Sequence, residues 1–132
     1  MYDAIRRHDA EVFVRAMHPE VEGVSYTMSA EGQVYRGHEG MRRFLGDIHD
    51  VFPDWRPRIG EVVDRRDVVV AEILTAGRGA TSGVELEQTV WQVVVFRNGK
   101  VAWWRGYSTR DEALDTADRL AGGAAQRTGT ST

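Results

Sequence analysis

Gln92 is the one polar side chain in residues 90–96, the most apolar stretch of the chain. A primary amide both donates and accepts hydrogen bonds, so Gln92 could hold a substrate carbonyl or a developing enolate oxygen. The other possibility is a core amide that bonds to backbone or to a side chain of a neighbouring strand. In either position the amide needs a hydrogen-bond partner, because a buried amide without one is unfavourable.

Ser25 and Tyr26 form a polar pair on the first predicted strand, residues 21–28. The Tyr26 phenol could donate a proton or a hydrogen bond, although strands also carry tyrosine for packing alone. Ser25 has no evident histidine partner in the sequence, which argues against a serine nucleophile. We therefore predict that Ser25 lines a pocket and that Tyr26 is a candidate catalytic residue.

Glu72 stands alone among apolar residues in the predicted strand 68–76. If its side chain points inward, burial makes the carboxylate a stronger base and Glu72 becomes a candidate for proton abstraction. The favoured alternative is an outward Glu72 that pairs with an arginine at the sheet surface.

The four histidines do not have the spacing of a metal site. His38 and His49 lie eleven residues apart on one predicted helix, which separates them by roughly 16 Å along its axis. The chain also lacks cysteine, so thiolate ligands and cysteine nucleophiles are excluded. We predict neither a metal nor a cofactor.

Composition indicates one globular domain, with 42% apolar and 28% charged residues in a chain of 132. The 17 basic and 20 acidic residues are mixed along the chain, so no basic surface for nucleic acid is expected. No apolar run approaches the length of a membrane span. The start, Met1-Tyr2-Asp3, does not resemble a signal peptide, and the expected location is the cytoplasm.

Asn98-Gly99 lies between two apolar segments and predicts a β-hairpin, because both residues tolerate the positive φ of a tight turn. Residues 90–96 are apolar on both faces of the strand, which predicts cover on both faces. We expect the protein's own helices on one face and a second subunit, forming a homodimer, on the other. A three-residue turn, which we favour, would pair Gln92 with Trp104, and a two-residue turn would pair it with Arg105.

The four tryptophans are divided between the two faces of this predicted sheet. With the favoured register, Trp104 lines the inside and Trp55 lies at its mouth, while Trp91 and Trp103 face outward.

The remaining elements follow from periodicity and from turn residues. Asp9 is a good N-cap for a helix in the first seventeen residues, and residues 29–32 predict a turn. Apolar residues recur every three or four positions in 37–52, which predicts a helix with one buried stripe. Further strands are predicted at 33–36 and 56–64, and a last helix at 110–120. The order indicates an α+β fold in which a cone-shaped, curved antiparallel sheet wraps around N-terminal and central helices.

Five short strings resemble the nuclear transport factor 2-like superfamily, and within it the SnoaL-like group. They are Arg7-His8-Asp9, Met17-His18-Pro19-Glu20-Val21-Glu22, Tyr35-Arg36-Gly37-His38-Glu39-Gly40, Phe52-Pro53-Asp54-Trp55 and Phe96-Arg97-Asn98-Gly99-Lys100-Val101. The resemblance covers about residues 1–120 and implies a cystatin-like roll; residues 121–132 are small and polar, and we expect them to be disordered.

The resemblance also implies where polar groups would enter the cone. The base of isomerases and cyclases in this group falls at Ser25, with Tyr26 beside it. A second polar group falls at Gln92, which favours the pocket position for that residue. A third, often an acid, falls at Gly106. Two carboxylates of the group are thus replaced by Ser25 and Gly106, and the residues indicate a retained pocket without its usual base.

We therefore predict a domain that binds a small apolar molecule, with candidate catalytic residues Gln92, Tyr26 and Glu72. The reaction, if one exists, would be an isomerisation, cyclisation or dehydration of a polyketide- or terpenoid-like compound. The alternative is a non-catalytic ligand carrier or a module for dimerisation or protein interaction. The predicted pocket walls are Ser25, Phe13, Met17, Phe44, Leu45, Ile48, Phe52, Trp55 and Trp104.

Overall fold

The structure is a computed structural model that describes residues 10–28 and 33–131, with side chains as far as residue 121. Asp9 and the predicted turn at 29–32 lie outside the described residues. The helices are α1 (Ala10–Arg15), α2 (Gly37–Val51) and α3 (Arg110–Ser131). The strands are β1 (Met17–Val24), β2 (Tyr35–Arg36), β3 (Arg56–Arg65), β4 (Val68–Arg78), β5 (Glu85–Arg97) and β6 (Lys100–Tyr107).

The six strands form one curved sheet in the order β2-β1-β6-β5-β4-β3. All neighbours are antiparallel except β1 and β6, which run parallel, so the sheet is mixed. Helices α1 and α2 pack on the concave face. The predicted α+β cone is confirmed.

The β5–β6 hairpin has a two-residue turn in which Asn98 and Gly99 have φ values of 55° and 76°. The favoured three-residue turn was therefore wrong. Arg97 pairs with Lys100, but the register then shifts between Val95 and Phe96. A bulge of this kind adds one residue to one strand. The shift pairs Gln92 with Gly106, so both predicted partners, Trp104 and Arg105, were wrong.

Helix α2 starts at Gly37 as predicted and ends at Val51, one residue before the predicted end. Phe52 caps it, and its backbone N–H donates to the carbonyl of Ile48 at 2.8 Å. The buried stripe of α2 forms the concave core with residues of α1, β1 and β6. The fully buried members of the core include Met17, Val21, Tyr35, Met41 and Ile48.

The convex face of the sheet is covered by α3 of the same chain. Ala113 and Ala117 are fully buried against a cluster that includes Val68, Val70 and Val93. Two ion pairs, Arg110–Glu61 at 2.8 Å and Arg65–Asp118 at 3.3 Å, join α3 to the edge strand β3. The second face of β5 therefore obtains its cover from α3, where the sequence suggested a second subunit.

Several boundaries differ from prediction. Strands β1 and β2 start at Met17 and Tyr35, where residues 21 and 33 were predicted. Strand β1 ends at Val24, so Ser25 and Tyr26 lie in the turn after it and not on the strand itself. Helix α3 continues to Ser131, past the predicted end at residue 120. The disorder expected for residues 121–132 stays a prediction.

Candidate ligand-binding site

A cavity lies between the concave face of the sheet and the two helices α1 and α2. The space open to the centre of a water molecule is about 50 Å³, and a single water needs roughly 10–15 Å³ on this measure. The cavity can therefore hold a few waters or one small ring without any side-chain movement. Its walls are Phe13, Met17, Ser25, Tyr26, Thr27, Phe44, Trp55, Ile73, Thr75, Val90, Gln92, Val94, Val101, Trp104 and Gly106.

Most of the side chains predicted for the pocket are brought together here, and three are not. The cavity walls include Phe13, Met17, Ser25, Tyr26, Phe44, Trp55, Gln92 and Trp104. Leu45 and Ile48 are buried in the helix–sheet core instead. Phe52 lines a narrow cleft next to the cavity, which shares Trp55 with it. Leu45 and Ile48 were placed wrongly because one apolar stripe of α2 serves both the core and the cavity, and Phe52 was placed wrongly because it follows the end of α2.

Glu72 does not line the cavity. It pairs across the sheet with Trp91, which packs in the cluster under α3 on the convex face. One oxygen of its carboxylate accepts the backbone N–H of Glu61 at 3.0 Å. The inward position that would have made Glu72 a base is therefore wrong, and the outward alternative holds, with a backbone amide as partner where an arginine was expected.

Gln92 lies on the cavity wall and is partly buried. Its cross-strand partner Gly106 has no side chain, and Tyr26 fills the space above that glycine. A Cβ added at Gly106 would lie 2.8 Å from the Cβ of Tyr26. Within the described residues, no protein group hydrogen-bonds to the Gln92 side-chain amide, which leaves it able to bond to a molecule in the cavity.

The turn after β1 contributes Ser25, Tyr26 and Thr27 to the cavity wall, and this side of the cavity is called its mouth. The Ser25 hydroxyl accepts the backbone N–H of Met28 at 3.0 Å, which holds this turn in shape. The Thr27 hydroxyl donates to the side-chain carbonyl of Gln88 at 3.2 Å. The Thr75 hydroxyl donates to the backbone carbonyl of Gln88 at 2.9 Å. Thr27, Thr75 and Gln88 therefore tie the turn to β4 and β5 at the mouth.

Phe44 organises the aromatic wall. Its ring centroid lies 5.1 Å from that of Trp104, 6.2 Å from that of Trp55 and 6.4 Å from that of Phe13. The Trp104 and Trp55 contacts are edge-to-face, the arrangement that aromatic quadrupoles favour. A single residue of α2 thus positions three other rings of the cavity.

Tyr35 supports Phe44 from behind, with ring centroids 5.4 Å apart. Its hydroxyl donates to the Asp47 carboxylate at 2.9 Å. Burial, followed by this hydrogen bond, raises the pKa of Tyr35 to about 12. The phenol therefore keeps its proton and acts as a structural donor to α2.

Asp54 fixes the turn that carries Trp55. One carboxylate oxygen accepts the backbone N–H of Arg78 at 2.7 Å, and the other accepts Arg56 at 2.6 Å. The backbone hydrogen bond from Arg78 is the main cause that lowers the pKa of Asp54, and Arg56 adds to it. Arg56 also pairs with Glu85 at 2.6 Å. This charged network joins the α2–β3 turn to β4 and β5 beside the mouth.

Several cavity residues were not predicted from the sequence. Val90 and Val94 follow from the two-residue period of a strand once Gln92 points inward, so this signal was available. Ile73 and Thr75 depend on the β4–β5 register. The resemblance had implied that position 106 faces the cone, but its pairing with Gln92 depends on the bulge in the hairpin. The remaining unpredicted wall residues are Thr27 and Val101.

The site can bind by shape and hydrogen bonding. Among the described residues that line it, no carboxylate, imidazole, ammonium or guanidinium is present, and Tyr26 is the one ionisable side chain. No group of three or more potential metal ligands occurs among the described residues. In the part of the chain that the structure describes, no helix has the length and apolar character to span a membrane.

The fold and the cavity together define a nuclear transport factor 2-like protein. The sequence pattern of the SnoaL-like domain matches residues 1–104, and the chain belongs to this family. No functionally curated protein matches the sequence.

Solved structures with the same fold share little sequence with the chain. A candidate SnoaL-like polyketide cyclase from Jannaschia sp. CCS1 is 19% identical, with a TM-score of 0.70 over 88% of this chain and 84% of that one. TerC, co-crystallised with polyporic acid, is 23% identical, with a TM-score of 0.71 over 88% and 90%. A protein with a ketosteroid isomerase-like fold from Catenulispora acidiphila, in complex with trimethylamine, is 12% identical, with a TM-score of 0.73 over 89% and 88%.

Proposed function

We propose that this chain binds a small, neutral and largely apolar molecule in the cavity, with Gln92 and Tyr26 as its polar contacts. The observation that carries the proposal is the Gln92 amide, which lies on an otherwise mostly apolar wall without a protein hydrogen bond from any described residue. The amide is only partly buried, so water can bond to it, and a ligand carbonyl or hydroxyl could take the place of that water.

The neutrality of the ligand follows from the composition of the wall. A charged ligand would leave its charge unpaired against aromatic and aliphatic groups, because the described lining holds no opposite charge. Desolvating an unpaired charge is far more costly than desolvating a neutral ring. The TerC and Catenulispora structures hold an acid and an amine, so they support a ligand-binding role for this fold and bear on nothing else about the ligand.

Catalysis is the second candidate function. The polyketide cyclase description of the Jannaschia protein favours an isomerisation, cyclisation or dehydration of a polyketide- or terpenoid-like compound. The described cavity wall offers no carboxylate or histidine as a base. Any such reaction would therefore depend on Gln92 polarising a substrate oxygen, on the Tyr26 phenol and on the fixed orientation of the substrate.

Two further predictions stay open, a cytoplasmic location and a homodimer through the outer face of the sheet. Part of the outer face is occupied by α3, so a dimer there would use the surface beyond α3. That surface includes charged residues such as Arg58 and Glu87. Native mass spectrometry of the full chain would read the subunit count and any retained small molecule in one spectrum.

The binding proposal is tested with a matched pair of probes, cyclohexanone and methylenecyclohexane, which have similar shape but differ in the oxygen. We expect the wild-type protein to bind both. Gln92→Leu should weaken the binding of cyclohexanone by about three- to tenfold, because one net hydrogen bond is lost. The binding of methylenecyclohexane should be unchanged or tighter. A folded wild-type protein that binds neither probe would contradict the proposal. An equal loss for both probes would remove Gln92 as the polar contact.

A further inference from the structure

Gly23 occupies the centre of a cross-strand row on β2, β1 and β6. It pairs with Tyr35 on β2 and with Trp104 on β6. Tyr35 and Trp104 carry large rings, and both rings contact Phe44. The position between them has no side chain, so the row has a gap at β1.

The indole of Trp104 fills this gap. A Cβ added at Gly23 would collide with the Cε2, Cζ2 and Nε1 atoms of the indole. The indole N–H donates to the sulfur of Met41 at 3.4 Å, and the residue is 4% exposed. Trp104 therefore lies against β1 at Gly23 and leaves the rest of the cavity open, because residue 23 is a glycine.

We propose that Gly23 and Trp104 together set the size of ligand that the cavity accepts. Trp104 limits its depth, and Gly23 keeps the indole out of the remaining space. A smaller residue at position 104 should extend the cavity towards Met41 and Gly23. A side chain at position 23 should push the indole into the cavity and close it. This inference rests on the proposed function, since it assigns a size class to the ligand of the same site.

The test compares a one-ring ketone, cyclohexanone, with a fused two-ring ketone, 2-decalone, by isothermal titration calorimetry on the full chain. The variants are Trp104→Leu, Trp104→Phe, Gly23→Ala and the double variant Gly23→Ala/Trp104→Phe. Two controls are matched to them. Trp103→Leu removes a neighbouring indole that packs in the cluster on the other face. Gly46→Ala adds a Cβ where no atom lies within 4 Å.

Trp104→Leu should raise the affinity for 2-decalone relative to cyclohexanone by about tenfold or more, because the second ring gains apolar burial. Trp104→Phe should give a smaller shift in the same direction. Gly23→Ala should weaken the binding of both ketones by about tenfold, and the double variant should recover much of the lost affinity. Neither control should change the affinity ratio.

Folded Trp104 variants with an unchanged affinity ratio would overturn the inference. If Trp104→Leu does not fold, Trp104→Phe and the double variant test the inference instead. A loss of ketone affinity in Gly23→Ala that the double variant does not recover also overturns the inference. A wild-type protein that binds neither ketone contradicts the proposed function. Binding of cyclohexanone with an unchanged ratio across the variants overturns the Gly23–Trp104 assignment alone.

Discussion

Gln92 and Gly106 face each other across the β5–β6 pair, and the missing side chain of Gly106 leaves room for the backbone and Cβ of Tyr26. The resemblance to isomerases and cyclases implied an acid at position 106. In this chain the backbone after β1 occupies the space that such an acid would need. The position of Tyr26 at the cavity thus depends on a glycine that itself carries no chemistry.

Gly106→Ala should therefore displace Tyr26. The added Cβ would lie 2.8 Å from the Tyr26 Cβ and 3.0 Å from a methyl group of Val90. Crowding of this kind costs about 1–3 kcal/mol, which urea denaturation would measure as a lower free energy of unfolding. In a Tyr26→Gly background the same substitution should cost less, because the nearest of the three crowded atoms is absent and only the residue 26 backbone nitrogen and Val90 remain. An equal cost in both backgrounds would contradict this packing.

Asp54→Asn should lower the free energy of unfolding at neutral pH and should have no effect on it in strong acid. Because the native pKa of Asp54 is held below its ordinary value of 3.8, the ionised carboxylate stabilises the native state at pH values above the unfolded-chain pKa. That contribution is lost as the pH falls through the lowered native pKa. Free energies of unfolding at a series of pH values should therefore converge for wild type and Asp54→Asn in strong acid.

The control for Asp54 is Asp50→Asn, which changes an exposed aspartate with no ion pair to any described residue. Its free energy of unfolding should follow that of the wild type at every pH. A difference between wild type and Asp54→Asn that grows as the pH falls would show that the assigned hydrogen bonds do not stabilise the native state.

Ala117→Leu should loosen α3 from the convex face. Ala117 is fully buried there, and enlarging a residue in a well-packed site costs about 1–3 kcal/mol. Asp115→Leu places the same side chain at an exposed position of α3 and should change the unfolding free energy little. If both substitutions leave stability unchanged, α3 does not pack on the sheet in solution, and the outer face becomes free for a second subunit.

Thr27→Val should speed the exchange of ligand through the mouth. The substitution keeps the shape of Thr27 and removes its 3.2 Å hydrogen bond to Gln88. The loss of one net hydrogen bond corresponds to an increase of about two- to tenfold in a rate constant. Stopped-flow measurements with cyclohexanone should show faster association and dissociation with little change in affinity. Thr89→Val, at the surface groove on the convex side, is the matched control and should leave both rates unchanged.

The sequence predicted those features that depend on local periodicity and turn chemistry. Asn98-Gly99 placed the hairpin and the stripe of α2 placed the central helix, whereas the inner position of Gln92 was implied by the family resemblance. In the structure Trp55 and Trp104 line the cavity, and Trp91 and Trp103 pack in the cluster under α3, although the register assumed for Trp104 was wrong.

The sequence did not predict features that depend on a β-bulge or on long-range packing. The bulge in the hairpin moved the partner of Gln92 from Arg105 to Gly106, and no period in the sequence marks it. Leu45 and Ile48 share a helical stripe with Phe44, so the sequence could not separate core from cavity. Ala113 and Ala117 gave no strong apolar signal in the sequence, although they are the residues through which α3 packs on the convex face.

The most direct test of ligand binding uses the four tryptophans as reporters on both faces of the sheet. Trp55 and Trp104 line the cavity, whereas Trp91 and Trp103 pack under α3. In ¹⁵N–¹H spectra of the full chain titrated with cyclohexanone, the account predicts saturable shifts of the Trp55 and Trp104 indole signals, with those of Trp91 and Trp103 unchanged. Shifts confined to Trp91 and Trp103, or no saturable shift of any indole, would contradict it.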